Sequence, residues 1–503
     1  MKLRILLAAL SVLAVVLILF LTRPVFHLAR TFWSDVEENF STSEGAVNDA
    51  SKLDETRVAE VWQIPTDPKS AEEQLGQLLQ RARTNHLKVA IAGARHSMGG
   101  HVIYPGGIVI DMLPFADMTL NESDNILHAQ AGARWSRVIE YLNSRGRSVA
   151  IMQSDDDFSV GGSISVNCHG WQFARPPMAS SVESFHVMLA NGGVVNCSRK
   201  ENQELFSLVL GGYGLFGIII DVDLRVVPNE KYNIERLVVS SADYATTLNE
   251  KVGKKKDIAL VYGRLNVTAQ NFLSSAVLNI FHLTPDTNKA ISTLGETKFA
   301  ALKRAVFRGS VGDDYGKKVR WQSERWLDSY LSGEDFERNS LLHTSAKLFQ
   351  NHSKDSTDIL MECFVQPGEF EPFLADLRKI IPETHADLLN VTVRHVNKDE
   401  DTFLRYADKD MFSLVMLFNQ RCDASGETNM ANAAKKIIDA ALKHSGRYYL
   451  PYRLHATPGQ FLQAYPQAVR FFELKRKYDP EELFQNQFYQ KYGEPLTARI
   501  APK

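Results

Sequence analysis

Cysteine is scarce in this chain of 503 residues, and neither sign of charge dominates it. The four cysteines, Cys168, Cys197, Cys363 and Cys422, are widely separated and form no Cys-x-x-Cys pair. This spacing argues against a disulfide framework and against a zinc site, so we expect no bound metal. The formal net charge of −2 gives no reason to expect a nucleic-acid partner. Internal repeats and low-complexity segments are also absent, and the length suggests two or three domains.

One long hydrophobic run is present, at the N-terminus. Ile5 to Thr22 contains only apolar and small residues, and its 18 residues reach the lower limit of a membrane span. No small-residue cleavage site follows it, which favours an uncleaved single-pass anchor over a cleaved signal peptide. We therefore expect membrane localisation, with the catalytic body on the non-cytoplasmic side of the membrane.

Two loops of small residues carry the strongest functional signal. Residues 93–97 read Gly-Ala-Arg-His-Ser and follow an apolar run that predicts a buried strand. Small residues let the backbone approach a ligand closely, and consecutive N–H groups in such a turn can hold a pyrophosphate. Residues 160–170 repeat this pattern with Val-Gly-Gly-Ser-Ile-Ser-Val-Asn-Cys-His-Gly. The pair predicts one dinucleotide-shaped cofactor held between two layers.

A third glycine-rich stretch, residues 212–217, matches the G-x-G-x-x-G pattern of nicotinamide-binding Rossmann folds. In those folds the pattern follows a strand and opens a helix. Here a helical pattern precedes it and a β-branched run follows it, so the order is reversed. We therefore interpret this stretch as a helix-to-strand turn.

Helix and strand patterns alternate through the first half of the chain, and the pattern then changes. Apolar spacing predicts a helix over 70–85, and the Asn191-Gly192 pair predicts a hairpin turn. Residues 229–445 contain long alternating runs such as 258–265, which predict an antiparallel sheet with helices on one face. The predicted divisions are an anchor (1–30), a tether (31–57), a cofactor domain (58–228), a substrate cap (229–445) and a C-terminal segment returning to the site (446–503).

Four blocks in the cofactor domain resemble, in order, the PCMH-type FAD-binding domain of the vanillyl-alcohol oxidase family. They are residues 93–97, 160–170, 181–184 and 210–218. The resemblance implies an α+β fold, with a two-subdomain FAD-binding domain and an antiparallel-sheet substrate cap. The Arg-His-Ser form of the first block is similar to alditol and aldonolactone oxidases, such as D-arabinono-1,4-lactone and L-gulonolactone oxidases, which implies FAD bound covalently through His96. The cofactor-binding candidates are Gly93, Ala94, Arg95, His96, Ser97, Ser159, Gly161, Gly162, Ser163, His169, Gly170, Gly217 and Ile218.

Two later segments resemble the substrate side of the same oxidases. Residues 391–395 are similar to a strand that carries Glu-x-Arg towards the flavin; Arg394 matches, whereas Thr392 replaces the carboxylate. Residues 447–457 are similar to a return strand that brings a basic residue to the flavin, which implies a role for Arg453 or His455. The catalytic candidates are therefore Arg394, Arg453 and His455, and the proton acceptor is either His455 or one of Tyr448, Tyr449 and Tyr452.

The implied activity is oxidation of a CH–OH group by hydride transfer to flavin N5. The expected donor is a polyol, a sugar lactone, or a related sugar-like or lipid-linked molecule, and the acceptor is dioxygen or a membrane electron carrier. Two alternatives remain open: an FAD- and NADPH-dependent double-bond reductase of the same fold, and a membrane protein that binds flavin without catalysis.

Overall fold

A computed structural model describes residues 22–38, 41–253, 255–284, 294–295, 299–327 and 336–496. Apart from Thr22, the run predicted as a membrane anchor lies outside these residues. Within the described ranges, no helix has both the length and the apolar character needed to cross a bilayer. Residues 22–34 are helical, and residues 46–57, part of the predicted tether, include a small two-stranded sheet.

The first part of the chain forms a small parallel sheet with one crossing helix. Strands β3 and β4 each pair in parallel with β5, and helix α1 connects β3 to β4. Asp67 caps α1 by accepting a hydrogen bond from the backbone N–H of Ser70. The helix buries one apolar stripe, which includes Leu75, Leu78 and Leu79, as its spacing predicts. The bounds are β1 Ala46–Val47, β2 Thr56–Arg57, β3 Glu60–Gln63, α1 Pro68–Thr84, β4 Val89–Ala92 and β5 Ile108–Asp111.

An antiparallel sheet of six strands completes this first lobe. Its strand order is β10-β9-β11-β7-β6, and β8 pairs with β11. The hairpin predicted at Asn191-Gly192 is confirmed between β9 and β10, and Gly192 has the positive φ of +87° that the turn requires. The bounds are β6 Met118–Asn121, β7 Ile126–Gln130, α2 Trp135–Asn143, β8 Arg147–Val149, α3 Val160–Ser165, β9 Val182–Met188, β10 Val194–Ser198, α4 Gln203–Val209 and β11 Ile218–Pro228.

The G-x-G-x-x-G stretch is a helix-to-strand turn, as predicted. It lies between α4 and β11, and Gly214 has a φ of +72°. A Cβ atom at Gly217 would lie 2.6 Å from the backbone oxygen of Met188 on β9. The last glycine therefore allows close backbone packing, and the turn does not open a helix.

An antiparallel sheet of eight strands forms the second lobe, in the order β15-β12-β14-β13-β17-β18-β16-β19. Helices α9 and α10 contact each other, and α10 packs on β16 and β18. The antiparallel sheet predicted for this part of the chain is thus observed. The bounds are β12 Lys231–Ser240, α5 Tyr244–Val252, β13 Ile258–Leu265, β14 Ser275–Leu283, α6 Ala300–Arg308, α7 Asp314–Gln322, β15 Phe336–Glu337, α8 Arg338–Leu342, β16 Ser356–Val365, α9 Phe370–Glu383, β17 Asp387–Val396, β18 Met411–Arg421, α10 Ala424–Lys443 and β19 Arg447–Tyr448.

The C-terminal segment returns to the first lobe. Helices α11 (Pro458–Ala464) and α12 (Ala468–Tyr478) lead to an extended stretch beside β4. There Val89 donates a backbone hydrogen bond to Leu483 O (2.8 Å) and accepts one from the N–H of Gln485 (2.9 Å). The chain end therefore extends the parallel sheet and closes that side of the lobe.

Polar contacts join the two lobes at residues 166–169, immediately after α3. A single hydrophobic cluster also continues through both lobes, so the junction combines apolar packing with hydrogen bonds. These bonds run from Tyr449 Oη to Val166 O (2.8 Å), from Tyr406 Oη to Asn167 O (2.7 Å), from Asn167 Nδ2 to Asp399 Oδ2 (2.9 Å) and from Arg394 Nη1 to His169 O (3.0 Å).

Candidate active site

A cavity of about 1690 Å³ lies between the first lobe and the eight-stranded sheet. Both small-residue loops line it, as do side chains of strands β12 to β18. Ordinary ligand pockets measure about 300–1,000 Å³. This cavity therefore has room for a dinucleotide and a second molecule beside it.

The two predicted loops meet at Ser159. The Ala94 backbone N–H donates to Ser159 Oγ (3.3 Å), and a Cβ atom at Gly93 would overlap that hydroxyl group. Arg95 has a φ of +58°, which turns the backbone sharply at this point. Gly161 is equally constrained, since a Cβ there would lie 2.8 Å from Ala131 Cβ. The loops thus form the close backbone cradle that a pyrophosphate requires.

His96 lines the cavity next to this cradle and stacks on Phe158, with ring centroids 4.1 Å apart. Burial lowers the pKa of His96 to about 4, although the negative charge of Asp157 acts in the opposite direction. The imidazole is therefore neutral at neutral pH and keeps a free nitrogen lone pair. That state suits attachment to an electrophilic ring carbon.

Arg394 reaches the cavity from β17. It donates to His169 O (3.0 Å) and to Ser154 Oγ (2.5 Å), which fixes its guanidinium between the lobes. Its buried Nε atom has no hydrogen-bond partner among the described residues. Thr392, two positions earlier on the same strand face, accepts a hydrogen bond from Arg264 (2.5 Å), so a second cation lies beside Thr392. Arg394 is thus held in place at the cavity wall.

A buried hydrogen bond links His169 to the opposite lobe. His169 Nε2 lies 2.5 Å from Glu362 Oε1, and both side chains are almost completely buried. Burial raises the pKa of Glu362, but His169 and Arg394 outweigh it and hold that pKa below its usual value. Glu362 therefore remains a carboxylate, and it orients His169 at the cavity wall.

Asp155 is a cavity residue that the sequence reasoning missed. Burial raises the pKa of its carboxyl group to about 6, Arg394 acts against this rise, and Asp157 and Asp156 add to it. A group with a pKa close to neutrality is suited to accept a proton. The available signal was the acidic run at residues 155–157, directly before the second loop. Only the fold shows which of the three carboxyl groups faces the cavity.

The structure places Arg453 and His455 away from the cavity. Arg453 bonds Asp54 (2.6 Å) and Glu427 (2.7 Å), and His455 Nε2 lies 2.9 Å from the same Glu427 oxygen. Both residues line a second, smaller cavity of about 820 Å³. The difference arises because the predicted return strand is short. Only Arg447–Tyr448 is a strand, so the following residues do not alternate between two faces.

The remaining candidates divide between the cavity wall and its support. Ser163 donates to Gln153 Oε1 and accepts from Trp135 Nε1, both at 2.8 Å, so it holds α3 in place from behind. Gly170 and Ile218 also pack behind the wall. Among the described residues no cluster of His, Cys, Asp or Glu is arranged to hold a metal ion. The cofactor candidates that line the cavity are Gly93, Ala94, Arg95, His96, Ser97, Ser159, Gly161, Gly162, His169 and Gly217.

Two of the tyrosines considered as proton acceptors also line the cavity. Tyr449 is committed to Val166 O (2.8 Å), and Tyr452 Oη lies 3.4 Å from Glu362 Oε2. Burial raises the pKa of both phenols well above the usual value, and Glu362 adds to the rise. A phenol with a raised pKa holds its own proton more firmly, so Asp155 is the better acceptor in this cavity.

Comparison with known proteins agrees with this geometry. Residues 68–198 match a family model described as an FAD binding domain. The chain is 27% identical to cytokinin dehydrogenase 2 of Arabidopsis thaliana over 231 residues, 45% of each protein. It is 27% identical to an uncharacterized oxidoreductase of the Rhodococcoides fascians fasciation locus over 277 residues, covering 51% of this chain and 58% of the relative. It is 29% identical to cytokinin dehydrogenase 4 of Oryza sativa subsp. japonica over 428 residues, 80% of each.

These findings support an FAD-binding domain within the α+β fold, and they identify FAD as the cofactor. The matched part of the chain spans about half the length of the first two relatives. The three relatives named above include no aldonolactone oxidase, so the expected closeness to those enzymes is not shown. The cradle fits the pyrophosphate of FAD, and the neutral His96 and the unpaired Arg394 Nε fit its ring end.

Proposed function

We propose that the protein is an FAD-dependent oxidoreductase that oxidises a CH–OH group of a sugar-like or related hydroxylated molecule. The observation that carries this proposal is that Asp155 and Arg394 both line the cavity that also contains the FAD cradle, and that Arg394 acts on the pKa of Asp155. Bound FAD supplies the hydride acceptor, the one part of the chemistry that side chains cannot provide. The protein supplies the position of the donor, the proton acceptor and the cation.

Arg394 is proposed to bind the donor oxygen. As the O–H bond breaks, negative charge grows on that oxygen, and a fixed guanidinium stabilises the charge. Arginine keeps its charge at any working pH. The hydrogen bonds to His169 O and Ser154 prevent the side chain from turning away.

Asp155 is proposed to accept the hydroxyl proton. The Asp155 carboxylate would take the proton from the donor oxygen, bound FAD would supply the acceptor for the hydride from carbon, and the product would be a carbonyl compound. With a pKa of about 6, the carboxyl group is largely ionised at neutral pH and is still basic enough to take the proton. Covalent attachment of FAD through His96 is part of the same proposal, since it would fix the ring end beside these groups.

A second candidate donor is a CH–NH group. It is favoured by the relatives named cytokinin dehydrogenases, one of which aligns over 80% of the chain. The same carboxylate would then take the proton from nitrogen. Arg394 favours the CH–OH donor over the CH–NH donor. A cation beside the reacting atom stabilises an alkoxide and destabilises a developing iminium ion.

The test is anaerobic reduction of the bound flavin, followed as loss of its visible absorbance. Wild-type protein would be mixed with polyols, aldonolactones, a cytokinin and NADPH in separate reactions. We expect bleaching by a hydroxylated donor, and strong slowing in Asp155→Asn but not in the matched control Asp156→Asn, whose side chain does not line the cavity and pairs with His343. Bleaching by the cytokinin alone would establish the CH–NH candidate. Bleaching by NADPH alone would indicate a reductase, and no bleaching by any donor would contradict catalysis.

We also propose that the run Ile5–Thr22 anchors the protein as a single-pass membrane protein, with the body on the non-cytoplasmic side. Its support is the length of the run and the basic residues on both sides. Resistance to alkaline extraction and protease accessibility from the outside would test the anchor and its orientation. Reoxidation of the reduced protein in air, compared with a soluble quinone, would show whether dioxygen or a membrane carrier accepts the electrons.

A further inference from the structure

The helix formed by residues 22–34 exposes its apolar side chains. Val25, Phe26, Phe32 and Trp33 are 66%, 71%, 60% and 75% exposed. At about 100° per residue, these four positions fall within an arc of about 120° on one side of the helix. A surface helix of a water-soluble protein normally turns this side towards the core. In this helix, by contrast, the apolar side faces away from the core.

The opposite side of this helix is polar, and it is bonded to the second lobe. His27 Nε2 lies 3.1 Å from Gly309 O, and the Arg23 guanidinium lies 4.0 Å from the centre of the Tyr315 ring. Just after the helix, Asp35 pairs with Arg304 of α6 at 2.5 Å. These contacts fix the rotation of the helix about its axis, so its apolar side is held outward.

The apolar surface continues to the mouth of the active-site cavity. Phe299 and Leu302, at the start of α6, are 54% and 37% exposed, and both also line the cavity. Trp326, which is 62% exposed, follows the cavity-lining residue Glu324. Since α6 also carries Arg304, the partner of Asp35, the exposed helix and the cavity mouth share one layer. We call this surface, formed by the four helix residues together with Phe299, Leu302 and Trp326, the mouth patch.

Sequence and charge indicate what covers the mouth patch. The helix begins at Thr22, the last residue of the 18-residue apolar run Ile5–Thr22, which can enter a bilayer. Arg30 is exposed on the helix, and Lys303 lies at the cavity mouth. Aromatic side chains with flanking basic residues are typical of surfaces that rest at the lipid headgroups. A second copy of the chain would not account for the adjoining apolar run.

We propose that the mouth patch docks on a phospholipid bilayer, so that the cavity opens against the membrane. The molecule that is oxidised is then an amphiphile, with its reactive head in the cavity and its apolar part drawn from the bilayer. This second statement rests on the proposed function, whereas the docking does not. Aromatic residues along the cavity, including Phe281 and Phe336, offer the apolar part a continuous path.

The docking test uses the full chain in vesicles of phosphatidylcholine and phosphatidylglycerol that carry brominated acyl chains, which quench nearby tryptophan fluorescence. The chain has six tryptophans, so each contribution is found by substitution. We expect quenching to fall in Trp33→Phe and in Trp326→Phe, and to stay unchanged in the control Trp62→Phe on β3 of the first lobe. Equal quenching in all three variants would overturn the docking, and flavin reduction plays no part in the result.

The loading test uses alkyl glucosides with chains from butyl to dodecyl as hydrogen donors for anaerobic flavin reduction in vesicles. We expect KM to fall by up to about threefold to fourfold for each added methylene group. The double variant Phe32→Asp/Trp33→Asp lies outside the cavity lining, so it should lose this chain-length dependence while reduction by butyl glucoside is unchanged. A KM independent of chain length, or no reduction by any glucoside, would overturn the proposal that the donor is an amphiphile. If no glucoside reduced the flavin but bromolipid quenching were normal, the failure would lie in the proposed function and not in the docking.

Discussion

Two ionisable side chains at the cavity, His96 and Asp155, are held towards their neutral forms by the same cause, which is burial. The effect on each is opposite in sign, since burial lowers the pKa of an imidazole and raises that of a carboxyl group. The histidine gains a free lone pair at neutral pH, and the carboxyl group becomes a stronger base. One environment therefore prepares both residues for different steps.

The rate of flavin reduction is expected to depend on pH through Asp155. Its pKa of about 6 means that the carboxylate forms as pH rises through that value, so the rate should increase with pH and level off near neutrality. At pH 5 only about one tenth of the groups are ionised, which predicts a roughly tenfold slower reaction. Asp155→Asn should lower the plateau by about 10²- to 10⁴-fold. Stopped-flow reduction across this range checks both, and an unchanged inflection in Asp155→Asn would contradict the assignment.

His96 is expected to carry the covalent bond to FAD. Wild-type protein precipitated with acid should remain yellow, and His96→Ala should release its flavin to the supernatant. The control His101→Ala changes another buried histidine of the same segment and should leave the precipitate coloured. A colourless wild-type precipitate would contradict the covalent bond without affecting the assignment of FAD as cofactor.

The sequence was sufficient to bring His96 and Arg394 to the cavity, because each lies in a short motif whose backbone geometry is determined locally. It was insufficient for Asp155, since three adjacent aspartates carry no periodicity that distinguishes them. Arg453 and His455 were expected from the resemblance of residues 447–457 to a return strand of the oxidases. In this structure the strand ends at Tyr448, and both side chains lie beside the smaller cavity.

At the scale of elements, the stretch after β19 works as a polar clamp. Arg453 ties Asp54, near the start of the first lobe, to Glu427 on α10, and all three side chains are at least two-thirds buried. Such a residue holds elements together, and its loss removes one hydrogen bond from each of the two carboxylates. We therefore expect a structural effect from a residue that the sequence had suggested as catalytic.

Arg453→Ala is expected to lower the free energy of unfolding by about 2 kcal/mol, because two partly buried carboxylates each lose the hydrogen bond from Arg453. The rate of flavin reduction by a saturating donor should stay within about twofold of wild type. The control Arg470→Ala breaks an exposed pair with Glu473 and should cost less than about 1 kcal/mol. Denaturant titration and stopped-flow kinetics measure the two effects separately, and a large kinetic loss with normal stability would restore the catalytic role.

Most regular elements were predictable, because their apolar spacing reports burial directly. The helix predicted over 70–85 is observed as α1 at Pro68–Thr84, and the strand predicted over 258–265 is β13. Strand order was not predictable, since β15 joins the edge of the second-lobe sheet next to β12, which precedes it by about one hundred residues. Pairings at that separation depend on how the lobes pack, and short-range patterns do not encode them.

At the scale of the whole molecule, one hydrophobic cluster extends through both lobes, and the cofactor cavity lies between them. The two lobes are therefore expected to unfold together. A ligand that contacts both should stabilise both equally, because it binds only the folded state.

The unfolding of His96→Ala protein stripped of flavin is expected to be a single transition that shifts upward with added FAD. At a free FAD concentration one hundred times the Kd, the gain is about 2.7 kcal/mol. Calorimetry with increasing FAD measures the shift, and circular dichroism of the same samples shows whether helix and sheet melt at one temperature. Two separate transitions, with only one moved by FAD, would contradict the shared core.

The seam at residues 166–169 has a consequence for turnover. Its hydrogen bonds join four residues of the opposite lobe, so we expect the lobes to stay together when a molecule enters the cavity. Backbone amides in this seam should be among the slowest to exchange with deuterated water, whether or not a donor is bound. Substrate and product would then enter and leave through an opening that is always present, and no opening motion of the lobes would limit the rate of catalysis.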